Sequence, residues 1–318
     1  MTNRWILGLC QIFVLFYCLS SADAQAARVD AYLVIKWEGR ALEDPNLETL
    51  DALRKKFPDL AAIHLINPSY FQPDNPSAAN NLEAIKKRIV DNDEVGLYFA
   101  PNTSLIKAAD VIPIRKPTFW SYGEEVCTND CGQQVPVTVY SRSDVTKLFY
   151  TAHIALKAAG FTKPVTYAVH GWIAPAGLSE VAQGLGYSND LTSIDFKLVK
   201  DQLKEYPISE WLRGAPVPMS TPGVSAWTQV GGSIEFNNDE DILKRFDQFF
   251  AQDHERQSLF ALSISEESLF MSRLRLERSI EGMTKKAEAG SDELVFKTLN
   301  DGKTSRPIAG TVVKSRKL

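Results

Sequence analysis

The chain has 318 residues, 44% of them hydrophobic, which is enough for one large domain or two ordinary ones. Its formal charge of −4 argues against a nucleic-acid partner, because such proteins present a basic face. The one basic cluster, Lys314, Arg316 and Lys317, reads as a solvated tail.

In chain order, Arg4 precedes an apolar run from Trp5 to Leu19. Small-x-small sites follow at Ala22-Asp23-Ala24 and Ala24-Gln25-Ala26. This is the layout of a secretory signal peptide over residues 1–26, with an apolar core short for a membrane span; an uncleaved anchor stays open as the alternative. The expectation is an exported protein, periplasmic or extracellular, with no transmembrane span after cleavage. Residues 27–318 then form a single domain, since no internal repeat or low-complexity linker divides them. Cys10 and Cys18 fall in the leader. Cys127 and Cys131 remain, spaced Cys-Thr-Asn-Asp-Cys in a polar loop, and a small-loop disulfide is the favoured reading for an oxidising compartment. Zinc would need two more soft ligands nearby.

Ala31–Ile35 reads as a buried strand, Asn46–Phe57 as a helix with Leu47, Leu50 and Leu53 on one face, and Ala61–Ile66 as a second strand. A Pro-rich loop leads to a helix over Ser77–Val90 and a strand over Val95–Phe99. This β-α-β-α-β alternation predicts parallel strands joined by right-handed crossovers. A short strand is expected at Val111–Ile114, then a loop-rich insertion near 117–140 that holds the cysteine pair, Trp120 and Tyr122. Ser143 is the expected cap of a long helix closing at Gly160. Val165–Val169 reads as a strand, Pro175–Leu185 as a helix and Thr192–Phe196 as a strand. Residues 197–238 are expected to hold short antiparallel pieces. A helix over Asp239–His254, a strand over Ser258–Ile264 and a long helix from Glu266 to Ala289 complete the chain.

Four histidines are present, and none has a second within five residues, so no local metal pair exists. His64 in an apolar strand and His153 on a helix read as structural, and His254 suits a helix C-terminus. His170 differs, because it ends a strand beside Gly171 and Trp172. Neither a Gly-x-Ser-x-Gly elbow nor a phosphate-cradling glycine loop occurs. Asn102-Thr103-Ser104 is a formal glycosylation sequon. Ligands of parallel α/β sheets bind at the carboxyl ends of strands, and positions i and i+2 share a face, so Tyr98 and Ala100 should both point into such a site.

The order of these segments resembles the polysaccharide deacetylase (NodB-homology) family. Four stretches carry the likeness: Tyr32–Gly39, Glu94–Asn102, Tyr167–Ala174 with Gly186, Tyr187 and Asp190 after it, and Leu262–Ser268. The resemblance implies an α/β fold, a distorted, incomplete (β/α) barrel. It also implies a divalent metal held by one aspartate and two histidines, an aspartate base, and a late histidine acid. Those positions are changed here. Lys36 and Trp37 stand for the aspartates, with Glu38 the stretch's one carboxylate. Tyr98 and Ala100 replace the histidines, Ala168 the arginine, and Ser265 or Glu266 the late histidine. The expectation is therefore no metal and no cofactor.

Lys36, Trp37, Glu38, Tyr98, His170, Trp172 and Ser265 are the expected ligand-binding residues, with an ammonium for an anionic or acylated sugar and aromatics to stack on sugar faces. The bland alternative pairs Lys36 with Glu38 and leaves Trp172 in the core. The first reading is a metal-free protein binding carbohydrate or cell-wall glycan. The second is a hydrolase or deacetylase with a rebuilt site using Glu38, His170 or Glu266 as acid and base. The third is a structural or assembly component.

Overall fold

A computed structural model describes residues 28–39, 41–121, 134–215, 220–251, 258–290 and 292–300. The signal-peptide segment, Tyr122, Cys127, Cys131 and His254 lie outside the described residues.

The first strand, β1 (Arg28–Trp37), leads to α1 (Asp44–Lys56). Pro45 in the first turn and Arg54, Lys55 and Lys56 in the last suit the two ends of that helix, and Leu47, Leu50 and Leu53 bury its inner face. Next come β2 (Ile63–Ile66), α2 (Ala78–Lys86), β3 (Glu94–Phe99) and α3 (Thr103–Ala108). Residues 111–114 are not a strand; the ordered element there is the short helix before them, whose cap is Asn102. The Asn102 carboxamide is buried and accepts from the Leu105 N–H at 2.8 Å, so the sequon asparagine serves as a helix cap. The long helix α4 (Arg142–Ala158) is capped by Ser141 rather than Ser143, through the Asp144 N–H at 3.1 Å.

The chain continues through β4 (Thr166–Val169), α5 (Leu178–Gly184), β5 (Asn189–Ile194), α6 (Lys200–Leu203) and α7 (Ile208–Gly214). After these come β6 (Ser225–Gln229), β7 (Gly232–Ser233), α8 (Asp239–Phe250), β8 (Ser258–Leu259), β9 (Ala261–Ser265), α9 (Leu269–Ala289) and β10 (Glu293–Phe296). The antiparallel pieces expected between 197 and 238 reduce to one isolated bridge, Thr221 to Val224. The strands of that region, β6 and β7, are parallel to their neighbours.

Among the described residues every strand pairing is parallel, in the order β7-β9-β1-β2-β3-β4-β5-β6-β8, with β10 added beside the start of β1. Only Phe260 separates β8 from β9 along the chain, so the sheet curls until its two ends draw on one extended segment. Counting β6 with β7 and β8 with β9, seven strand positions among the described residues surround the interior, against the eight of a complete (β/α) barrel. The fold is a distorted, incomplete (β/α) barrel, as expected.

Two apolar layers follow from the two-residue period of strands. Leu33, Ile35, Trp37, Ile66, Leu97 and Phe99 face the helices and join the main core. Tyr32, Val34, Ile63, Leu65, Tyr98, Ala100, Ala168, Leu191 and Ala261 fill the interior. At the amino ends of the strands, Leu299 packs on that interior cluster. The Glu94 carboxylate accepts from Asn300 N–H at 2.8 Å and from the Thr166 hydroxyl.

Candidate functional site

Side chains at the carboxyl ends of β1, β3, β4, β7 and β9 converge at the mouth of the barrel, the candidate cleft. Lys36 follows Tyr32 and Val34 on the interior face of β1, with Ser265 as its register partner on β9. Only 8% of Lys36 is exposed, and its Nζ lies 5.4 Å from the Trp172 ring centroid. Among the described residues this ammonium makes no ion pair, so the expected alternative, a Lys36–Glu38 pair, is not formed. Cation–π contact gives it a partner worth about 0.5–2 kcal/mol, less than full hydration supplies.

Trp172 is aimed over Lys36 by two successive left-handed residues, Gly171 at φ 75° and Trp172 at φ 61°. A tryptophan in that region carries strain of order 1 kcal/mol, which persists only where the surroundings impose it. Gly171 has a second constraint, since a Cβ there would stand 2.4 Å from the Phe119 ring. Trp172 also meets Phe236 edge to face at 6.1 Å, so it is half-buried with support behind it.

His170, Tyr98 and Glu38 form a chain of polar contacts. Tyr98 Oη lies 2.7 Å from His170 Nδ1. Burial, and then the charges of Glu38, Glu235 and Glu266, push the Tyr98 phenol far above its ordinary range, so it keeps its proton. Glu38 Oε2 is 3.7 Å from His170 Nδ1, beyond hydrogen-bond length.

Glu266 differs in kind. It is 2% exposed and both its oxygens are used: Oε2 accepts from Glu38 N–H at 2.8 Å, and Oε1 accepts from the Tyr70 hydroxyl. Burial and the neighbouring charge of Glu38 hold its carboxyl well above the usual range. It braces β1 against β9 and the turn carrying Tyr70, and presents no oxygen to the cleft. Ser265 Oγ is engaged locally, accepting from Glu267 N–H at 3.3 Å.

Trp37 does not join the cleft. As the next residue after Lys36 on a strand, it points to the opposite face, where it is wholly buried. Its Nε1–H donates to His64 Nδ1 at 3.0 Å. Indole is a donor only, so His64 Nδ1 must be bare and its proton sits on Nε2, facing Asp93 Oδ2 at 3.2 Å. Burial lowers the His64 pKa, in keeping with a neutral ring. Asp93 also receives Arg54 Nη2 at 2.6 Å, Ala62 N–H at 2.9 Å and Val90 N–H at 2.9 Å. Burial alone would raise its carboxyl, but the His64 hydrogen bond, Arg54 and the Val90 N–H reverse that and leave it at about 2. His64 is structural, and so is His153, whose buried Nδ1 lies 3.1 Å from the Tyr187 hydroxyl.

Three contributors escape the sequence reading. Glu235 follows β7; its carboxylate accepts from Ser265 N–H and from the Ser233 hydroxyl. Glu38, Glu235 and Glu266 therefore all stand just past the ends of three adjacent strands, β1, β7 and β9. That shared position, glutamate one or two residues beyond a strand, is the signal that could have found Glu235. Tyr70 anchors Glu266. Asn67 ties the mouth together, with Nδ2 donating to Glu38 O at 2.9 Å and to Ala100 O at 3.0 Å.

The divalent metal implied by the family resemblance does not fit these residues. An ammonium, a phenol that keeps its proton and the methyl of Ala100 occupy the positions where ligands would be. Among the described residues no group of three His, Cys, Asp or Glu side chains is placed to hold a metal ion.

No protein-family model and no curated protein matches the chain. Solved structures do. A family 4 carbohydrate esterase from Streptomyces lividans aligns over 87% of this chain and 96% of its own, at 9% identity and a TM-score of 0.47. A CE4-family pseudoenzyme from Bacillus anthracis aligns over 86% of this chain and 64% of its own, at 12% identity and 0.41. A polysaccharide deacetylase homologue from Mycobacterium smegmatis aligns over 90% and 96%, at 12% identity and 0.41. Such scores describe a likeness of chain path and carry nothing about activity. In architecture, this chain is a distorted, incomplete (β/α) barrel.

Proposed function

We propose that the chain binds carbohydrate in the cleft at the carboxyl ends of its strands, without the metal-dependent deacetylation of the family it resembles. The observation that carries this reading is the Lys36 ammonium. It is held in the mouth against the Trp172 ring, without an ion pair among the described residues, where that family places its metal. The ammonium suits an anionic or acylated sugar substituent, and Trp172 offers a ring to the apolar face of a pyranose. The N-terminal sequence supports export, so the ligand is an extracellular or cell-wall glycan.

Binding to a glycan array by wild type, Lys36→Ala and Trp172→Ala tests the reading. Both variants should lose at least tenfold in affinity while staying folded, a change of about 1.4 kcal/mol. Retained binding in either folded variant sinks it.

One contact favours a second reading, a metal-free hydrolase. Tyr98 Oη and Glu38 Oε2 lie 2.7 and 3.7 Å from His170 Nδ1, which gathers a phenol, a carboxylate and an imidazole at one point. Glu266, the third acid candidate, is withdrawn into the brace and belongs to neither reading as a reacting group. Release of sugar or acetate from a bound glycan, abolished by Glu38→Gln, would establish this second activity.

A further inference from the structure

Beside the cleft, two large aromatic side chains are exposed and in contact with each other: Trp120 is 41% exposed and Tyr206 is 40% exposed. Their rings meet edge to face, centroids 5.5 Å apart at 85°, which leaves ring face uncovered by the partner. The backbone beneath is fixed. Phe119 N–H donates to Gln134 O at 2.7 Å, Ile208 N–H to Phe119 O at 3.1 Å, and Ser121 N–H to Thr118 Oγ1 at 3.2 Å. Exposed rings on a braced backbone pay little entropy on binding.

The pair is packed against the wall of the cleft through one buried ring. The Phe119 ring, itself buried, lies 6.2 Å from Trp120, 5.6 Å from Trp211 and 5.4 Å from His170. A single ring therefore separates Trp120 from the cleft's histidine. One apolar cluster, with Phe119, Ile173, Ile194 and Ile208 at its centre, also supports Trp172 and Trp211. Had these rings served only to pack the loop, that cluster would be expected to cover them; it holds their inner neighbours and leaves them at the surface.

We infer that Trp120 and Tyr206 form a second sugar-stacking subsite, so that the cleft takes an oligosaccharide chain running from Trp172 to Trp120 rather than a single sugar. This rests on the carbohydrate reading of the cleft. A pyranose presents apolar C–H faces to an aromatic ring while its hydroxyls stay in water, which suits exposed rings better than a peptide's mixed side chains. Two stacking positions joined by one glycan multiply affinity through effective concentration, and the gain appears only when the ligand spans both.

The test uses the intact exported protein and glycan arrays of neutral, N-acetylated and uronate sugars, each from monosaccharide to hexasaccharide. For the best-binding series, affinity should rise with chain length in wild type. In Trp120→Ala the hexasaccharide should weaken about tenfold and the length dependence should flatten, with the shortest binding ligand changed less than about twofold. Tyr206→Ala should lose about threefold. Trp120→Phe, which keeps a stacking ring, should retain most of the length effect and controls for folding. An unchanged length series in folded Trp120→Ala overturns the subsite, as does equal weakening at every length. Lys36→Met reports on the cleft separately: if it binds normally while Trp120→Ala does not, the cleft assignment fails and the aromatic subsite stands alone. Wild type binding no glycan at all would remove both.

Discussion

The two ends of the barrel are built to different rules. At the amino ends of the strands, the interior is closed by Leu299, and the buried Glu94 accepts from a hydroxyl and an N–H. At the carboxyl ends, the chain keeps an ammonium without an ion pair among the described residues, and a tryptophan in a left-handed conformation. It also keeps glutamates just past three adjacent strands. Buried charge and backbone strain cost stability, so a mouth that retains both is selected for something other than folding. In β/α barrels this is the expected division, with stability at the base and chemistry or binding at the top.

Substitutions can break that comparison. The largest effect should come from the base: Glu94→Ala leaves the Thr166 hydroxyl and the Asn300 N–H without their acceptor, costing about 3–4 kcal/mol in denaturant melts. Glycan binding at the far end should be unchanged once the variant is folded. A base variant that loses binding but not stability would dissolve the distinction between the two ends.

Glu266→Ala should cost about 3 kcal/mol by stranding Tyr70 and the Glu38 N–H, whereas Glu266→Gln can serve both partners and should stay within about 1 kcal/mol. The sign with pH is distinctive. The Glu266 carboxyl is raised in the fold, so its contribution is full at low pH and declines as pH rises from the ordinary carboxylate range through its folded value. Stability of Glu266→Gln relative to wild type should therefore improve with rising pH.

Asp93 behaves oppositely. Its carboxyl is lowered from 3.8 to about 2, so the stability it gives is present above the unfolded value and lost as pH falls through the folded one. That is of order 2 kcal/mol, lost between about pH 4 and pH 2. Asp93→Asn should be less stable than wild type at neutral pH and should show a shallower acid transition in the same window, measured by circular dichroism. Identical acid slopes would show that this network does not govern acid stability.

The smallest change in stability should be at Lys36. Replacing a poorly compensated ammonium with a side chain of similar length, Lys36→Met, should move the melting free energy by less than about 1 kcal/mol, in either direction. Its effect should fall on binding.

Much of the architecture was legible because alternating strands and amphipathic helices leave clear periods. Strand period also placed Tyr98 and Ala100 on the interior face, and the structure adds Lys36 to it. The same rule forbids Trp37 from sharing the cleft with Lys36, and grouping both as ligand residues overlooked it; the structure puts Trp37 against His64 on the helix side. Helix α3, six residues long, is too short to show a period, and β7 has only two residues, so Glu235 had no recognisable strand to follow. The direction of β6 was illegible for another reason: its partner β8 lies beyond helix α8, and no local turn signal fixes a pairing that distant. Glu266 read as an acid because carboxylates at strand ends invite that role, and only Tyr70 and the Glu38 N–H reveal it as a brace.

The most direct test of the account is the affinity of wild type and Lys36→Met for the best array glycan, measured by calorimetry after exhaustive chelation. The account predicts that chelated wild type binds as tightly as untreated protein and that folded Lys36→Met loses at least tenfold. Binding that disappears on chelation, or that survives intact in Lys36→Met, would contradict it.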